Sequence, residues 1–201
     1  LSLAEISRST GLYKSTILRL LGSLEKGFFV VQRADGNYQL GPAVLELSSI
    51  YQDSFDLRQF VHPTLERLVE TTSEGASFFI RVGAEQMCLF RVDGNRTLRD
   101  STLRLGDRRP IDKGASSQAF RAFESVEGPY KVADLIFTSF GTVTPEMAAL
   151  AAPVFGQGNE LVGVLTLSGP ISRINEQRAE ALIPMLVEQS VTLSRMLGAQ
   201  S

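Results

Sequence analysis

Cysteine, histidine and long apolar stretches are what this chain has least of. Cys88 is the single cysteine in 201 residues, so no intrachain disulfide framework can form, and the usage fits a reducing compartment. His62 is the single histidine. It has no partner imidazole for a zinc site and, beside Pro63, reads as structural, the alternative being a metal ligand. No apolar run reaches the roughly 18 residues of a membrane span, and no basic segment followed by an apolar one opens the chain. The expectation is a soluble cytoplasmic protein with no membrane partner. The G-x-S-x-G, H-E-x-x-H, Walker and dinucleotide fingerprints are also missing from the sequence. Asp107 and Asp112 are loop residues with nothing to couple them as acid and base. An enzyme is disfavoured, and no catalytic residue, metal or cofactor is expected.

A large charge of one sign is lacking too. The net charge of -2 and pI near 5.6 exclude a wholly basic nucleic-acid coat, but an average can conceal a local footprint. An apolar content of 43% over this length can bury a sizeable core in one or two domains.

What is present begins with a small N-terminal unit. In "LSLAEI" Ser2 suits an N-cap and Glu5 the N3 position of a capping box, with Leu1 and Ile6 at staple positions. A helix from Leu3 to about Thr10 follows, and Gly11 can take the left-handed conformation that stops it. A second helix, about Tyr13 to Lys26, places Tyr13, Ile17, Leu20, Leu21 and Leu24 on one face, read as core. The segment "FFVVQRADGNYQLG" then predicts a hairpin, Phe28 to Gln32 against Asn37 to Leu40, around Asp35-Gly36. Two helices and a hairpin form a winged helix-turn-helix whose first helix is absent, so residues before Leu1 are expected in the natural protein.

The second helix carries Ser15, Arg19, Gly22 and Lys26 opposite its core face, with Thr16 and Leu18 on the flanks and Lys14 at the N-terminal edge. Short hydroxyls, free N–H groups and an arginine one turn on suit entry into a major groove. Arg33, just before the wing tip, can meet phosphate or the minor groove. Residues 1–42 hold five basic side chains (Arg8, Lys14, Arg19, Lys26, Arg33) against three acidic ones (Glu5, Glu25, Asp35), a local excess within an acidic chain. An ordinary solvated helix face, or a module that binds protein, stays open as the alternative.

A third helix after Pro42, with Val44, Leu45, Leu47, Ser48 and Tyr51 as its stripe, is short and needs a partner. Asp56 can cap the next helix, which runs to about Thr72 with Phe60, Val61, Leu65 and Leu68 inward; Pro63 argues for a start nearer Val61. Beyond it the period changes to two. "SFFIRV" and "MCLFRV" read as strands joined by "GAEQ", "TLRDSTLRLG" as a continuation, and "LAAPVFGQGNELVGVLTLSGP" as two more around Gly156 to Asn159. Cys88 falls in this pattern as a small buried hydrophobe, a reactive thiol being the alternative. "KGASSQAF" is a loop feeding a helix, and 127–150 reads equally as strand, helix or lid. A last helix starts near Asn175, with Ala179, Leu182, Ile183, Leu186, Val191 and Leu197 inward and a bend or delay at Pro184. The class is α+β, an antiparallel sheet covered on one face.

Taken together, "LAEISRSTGLYKSTILRLLGSLEKGFFVVQRADGNYQLG", "DLRQFVHPTLERLVETTSEGASFFI", "PIDKGASSQAF" and "AAPVFGQGNELVGVLTLSGPISR" resemble the IclR-type bacterial transcriptional regulators along nearly the whole chain. The resemblance implies a winged helix-turn-helix (1–42), a linker helix (43–55) and a GAF-like effector-binding domain with an antiparallel sheet (56–201). It implies a regulator whose occupancy of double-stranded operator DNA is modulated by a small organic acid, acting as a homodimer or tetramer. The family's base- and backbone-contacting turn falls on Lys14, Ser15, Thr16 and Arg19, with Tyr13 where proline is usual and Leu18 where a polar residue is frequent. Its effector pocket falls on Gly114, Ala115, Thr166 and Ser168. Glycine-loop amides and two hydroxyls two residues apart on one strand face suit a carboxylate, the alternative being hydroxyls that only bond along the sheet. Pro153 stands where some members have a polar pocket residue. The segment between Ala119 and Ala151 is shorter than the family's helical segment there.

Overall fold

The computed structural model describes residues 1–54, 57–94, 103–124 and 135–199. The cap expected at Asp56, the Tyr51 side chain, most of the strand expected over 97–106 and the start of 127–150 lie outside them. The chain divides into two compact units, Leu1–Asp56 and Leu57–Ser201.

In the first unit α1 (Leu3–Thr10) begins with the full capping box. The Ser2 hydroxyl accepts from the Glu5 amide, and the Ser2 amide donates to the Glu5 carboxylate at 2.6 Å. That amide bond is the main cause of a Glu5 pKa below the ordinary carboxylate value. Gly11, at φ 71, ends the helix as expected. Leu1 does not staple. Its side chain is exposed, and its backbone exchanges two 2.8 Å bonds with Tyr38.

Helix α2 spans Lys14–Lys26, with Tyr13 as an extended N-cap whose side chain makes no capping bond. The expected core face is narrower than its periodicity suggested. Ile17 and Leu21 are buried with Tyr38, and Leu3, Ile6 and Val30 pack around them, but Tyr13 is 85% exposed, Leu20 47% and Leu24 42%. A three-residue core cannot cover a stripe five residues long. The wing, β1 (Val30–Gln32) against β2 (Tyr38–Leu40), is shorter than expected. Its tip is a turn from Arg33 to Gly36 closed by a 2.9 Å bond, with Gly36 at φ 80. Gly41 follows because the backbone of Phe28 passes so close that a Cβ would lie 2.1 Å from its carbonyl oxygen. Helix α3 (Ala43–Ser54) completes the unit.

The second unit opens with α4 (Leu57–Thr72), which runs through Pro63 and does not wait for Val61. Burial of Val61, Thr64, Leu65, Leu68 and Val69 offsets a proline penalty of about 3 kcal/mol. The Thr64 hydroxyl donates to the Phe60 carbonyl on the same turn at 2.8 Å. Strands β3 (Gly75–Val82) and β4 (Glu85–Val92) form a hairpin tighter than "GAEQ" implied, turning at Gly83-Ala84. They continue into β5 (Arg108–Pro110), which lies later than the expected continuation. After α5 (Ala115–Ala122) come β6 (Phe137–Phe140), β7 (Met147–Phe155), β8 (Leu161–Pro170) and α6 (Glu176–Met196), capped by Asn175 and continuous across Pro184.

The six strands run β5-β4-β3-β8-β7-β6, every neighbouring pair antiparallel. The sheet is not covered on one face only. Phe78, Leu150, Leu165 and Leu167 pack with α4 and α6, while Phe79, Cys88, Ala151 and Val164 face α5. A bulge opposite Phe78/Phe79 turns both Leu89 and Phe90 toward the α4 and α6 side. Helix α6 is held by hydroxyls as well as by apolar packing. Ser190 donates to the Pro153 carbonyl, and Ser194 accepts from the Phe155 amide at 3.0 Å. This moves the buried side of its last turns to Ser190, Leu193 and Ser194, while Ile183 and Val191 are only half-buried.

Glu74, 3% exposed, receives both arms of Arg173 at 2.8 and 2.9 Å. The pair ties the entry of β3 to the turn after β8. Arg173→Ala strands a buried carboxylate and is expected to lower stability of the second unit by about 3–5 kcal/mol. Glu74→Gln, which keeps the shape and removes the charge, is expected to cost less. Urea midpoints of the two variants check the order.

Candidate functional sites

The N-terminal unit offers a helix tip. The Thr16 and Ile17 amides bond back to the Tyr13 carbonyl at 3.0 and 3.1 Å, and no side chain caps the turn before them. This differs from α1, where Ser2 and Glu5 occupy that role. Lys14, Ser15 and Arg19 are exposed on the tip and first turn, and Thr16 is half-buried beside them. Positive side chains and uncapped N–H groups at a helix start favour an anion. Leu18 is exposed and gives the same face an apolar contact. Lys26 is exposed in the last turn, roughly 18 Å along the axis from Lys14 by helical rise, so it belongs to the opposite end of α2. Arg33 is exposed at the start of the wing turn, where its amide donates to the Asn37 carbonyl at 2.8 Å.

The second unit offers a cavity of about 230 Å³ between α5 and the sheet. Gly114, Ala115, Thr166 and Ser168 all line it, so the fold brings together residues far apart in sequence. Gly114 precedes α5 at φ 94, and a Cβ there would meet the Val143 side chain at 2.8 Å. That position therefore admits a bare backbone close to the cavity. On β8 the two hydroxyls differ. Thr166, 4% exposed, donates to the Ser77 carbonyl across the strand pair at 3.3 Å. The Ser168 Oγ is shielded from solvent and has no hydrogen-bond partner. The reading of hydroxyls that bond only along the sheet fits Thr166 but leaves Ser168 unexplained. Pro153 is buried on β7 and does not line the cavity.

Two residues at this site escaped the sequence reading. Gln86 lines the cavity from β4, and its Oε1 is a second buried atom with no partner. Arg91 lies behind it in chain order, its side chain 7% exposed, donating to the Ser77 hydroxyl at 3.2 Å and to Asp93 at 2.7 Å. A Cβ on Gly75 would be 3.4 Å from the Arg91 guanidinium and 3.5 Å from the Ser168 carbonyl oxygen. Gly75 thus lies between the Arg91 guanidinium and the Ser168 backbone. Polar residues in strand patterns count as outward-facing by default, and nothing local distinguishes these two. At the mouth stand Arg109, Asp112 and Lys113. Arg121, from the end of α5, donates to the Asp112 and Ile111 carbonyls and ties this loop down.

Asp107 and Asp112 serve their own loops, each accepting a backbone amide at 2.7 Å. His62 pairs with Glu66 one turn on at 3.4 Å, and no cluster able to hold a metal occurs among the described residues. Nor is any helix among them long and apolar enough to cross a membrane. Cys88 is fully buried, and burial pushes its thiol up to about 11. In the folded protein it stays protonated at pH 8. A thiol reagent at that pH is expected to leave native protein unmodified and to label it stoichiometrically in urea; rapid labelling of native protein would contradict the burial.

Comparison with known proteins places these features. Residues 1–34 match the IclR helix-turn-helix domain. The chain is similar to the HTH-type transcriptional regulator KipR of Bacillus subtilis, 27% identical, across 98% of this chain and 90% of that protein. It is also similar to the transcriptional repressor IclR of Escherichia coli, 25% identical, across 96% and 82%. The fold is shared with the crystal structure of the Thermotoga maritima IclR, with TM-score 0.72 and 21% identity over 99% of this chain and 92% of that one. These relatives are regulators of transcription. The matching helix-turn-helix, the relatives along nearly its full length and the same α+β architecture together support an IclR-type transcriptional regulator.

Proposed function

We propose that this regulator senses a small organic acid in the cavity beneath α5 and that the acid changes its occupancy of operator DNA. The observation that carries this reading is the Ser168 hydroxyl, buried in the cavity without a partner. A carboxylate placed there accepts the Ser168 O–H and the amides at Gly114 and Ala115. Thr166 contributes shape, since its proton is engaged by the Ser77 carbonyl. We assign the domains as 1–42, a linker helix over 43–55 and a GAF-like effector domain over 56–201. The exposed Val44, Leu45 and Leu47 of α3 support a homodimer, and we propose further that dimers pair into tetramers and that the protein acts in the cytoplasm. Two winged helices then read two half-sites of double-stranded DNA.

In that complex Arg19 reads a base while Lys14, Ser15 and Thr16 engage the backbone and bases at the tip of α2. Lys26 and Arg33 meet flanking phosphates. Arg19→Ala is expected to weaken operator binding by about 1–3 kcal/mol and to relax one base position. Lys14→Ala is expected to weaken all sequences alike and to lower the salt slope by about one unit. Mobility shifts on operator and random fragments across salt separate the two; equal losses on both DNAs for Arg19→Ala would remove it as a base reader.

For the cavity, Ser168→Ala deletes an unpaired buried hydroxyl. Without ligand, stability is expected to hold or rise slightly, and acid affinity to fall by about 1–3 kcal/mol. Thr166→Val should lose less. Calorimetric titration of a series from acetate to octanoate, beside thermal unfolding of each variant, checks this. An unchanged affinity in Ser168→Ala would move the acid elsewhere.

A further inference from the structure

Ser168 is one of two unpartnered polar atoms around the cavity, and a carboxylate at Ser168 leaves the other unanswered. Gln86 is 4% exposed. Its Nε2 donates to the Ser117 hydroxyl at 2.7 Å and to the Pro110 carbonyl at 3.5 Å. The Ser117 hydroxyl and the Pro110 carbonyl both face the amide nitrogen, the second at the outer limit of a hydrogen bond, and the carbonyl oxygen is the atom left over. That oxygen can be satisfied only by a donor, which a carboxylate does not have.

We infer that Gln86 is a specificity-determining residue of this cavity and that the acid it selects carries a hydroxyl group remote from its carboxylate. The inference rests on the acid-binding reading of the cavity. The donor is a hydroxyl rather than an ammonium because Arg109 and Lys113 line the same cavity against the single carboxylate of Asp112. The two groups stand apart because the strand registers do. Ser168 lies opposite Gly75 of β3 and Gln86 opposite Arg81. Those positions are roughly 20 Å apart by strand rise, a span that inward-reaching side chains shorten. Between those registers stands Phe79, in one apolar cluster with Leu103, while Ala149 is level with Ser168. The ligand is thus polar at both ends and apolar between them. The discrimination is of the stronger kind, because a site built to hydrogen-bond a hydroxyl leaves its own polar group unmet when the analogue lacks one.

The probes are octanoate and 8-hydroxyoctanoate, titrated into the full chain and into Gln86→Met, Ser117→Ala and Ser168→Ala. Wild type is expected to bind the hydroxy acid about tenfold more tightly than octanoate. Gln86→Met, similar in length but without the acceptor, should bring that ratio close to one. Ser117→Ala loses the same Nε2 contact but keeps the Gln86 carbonyl, so the ratio should survive, which separates reading of the ligand from support of the fold. Ser168→Ala should weaken both acids together. A wild-type ratio near one, or a ratio that persists in Gln86→Met, overturns the role of Gln86; that result needs no folded variant in the first case. The acid-binding reading still stands if Ser168→Ala weakens octanoate. Absence of binding of either acid to wild type at about 10 mM overturns both.

Discussion

The second unit depends on one imbalance: its sheet is apolar on both faces but has unequal cover for them. On one side α4 and α6, long helices, pack over Phe78, Leu150, Leu165 and Leu167. On the other side stands α5, eight residues long. A helix of two turns is about 12 Å long and cannot roof a sheet of six strands. What it fails to cover becomes the cavity. The residues beneath are correspondingly small or hydroxylated: Ala149 on β7, Thr166 and Ser168 on β8. Leucines there would fill the space and stabilise the unit by about 1.5–3 kcal/mol each. The fold instead retains two buried polar atoms without partners, each a cost that a solely structural core would have removed.

That arrangement also explains why polar side chains in the middle strands are held so firmly. Thr166 and Ser77 are linked across β3 and β8, Arg91 is fastened to Ser77 and Asp93, and Gln86 is clamped by Ser117 and Pro110. The clamp on Gln86 fixes its amide nitrogen and leaves its carbonyl oxygen unpartnered. Preorganisation of this kind lowers the ordering cost of a ligand, which is where small ligands lose much of their affinity.

Sequence patterns carried the local features well, because caps, turns and strand alternation are decided within a few residues. Ser2 with Glu5, Gly11, the Asp35-Gly36 tip, Asn175 and the β7–β8 turn are all of this type. The pattern failed where tertiary packing set the outcome. Leu20 and Leu24 match the helical stripe of α2, but only Ile17 and Leu21 find cover in this unit. Pro63 should delay α4, yet its neighbours gain more from burial than the missing amide loses. The sheet's second covered face was invisible because α5 is too short to give a strong apolar period. Gly114, Ala115, Thr166 and Ser168 were singled out through the family resemblance, not by spacing. Gln86 and Arg91 had no sequence signal at all, since a polar residue in a strand reveals its partners only when the neighbouring strands are in place.

The division into two compact units, Leu1–Asp56 and Leu57–Ser201, constrains how sensing can reach DNA. The tip of α2 rests on its own short core of Ile17, Leu21 and Tyr38, and the cavity under α5 belongs to the second unit. On the proposed acid-sensing reading, a ligand acts by binding one arrangement of subunits better than another, and the shift it produces is limited to that difference in affinity. Ligand contacts common to both arrangements set how tightly the acid binds but move nothing. The contacts that matter for regulation are then those whose geometry depends on where α5 sits against the sheet. Gly114 and Ala115 ride on α5, whereas Ser168 belongs to β8. An acid bridging them draws helix and sheet together, so its differential binding resides in that span rather than in either group alone.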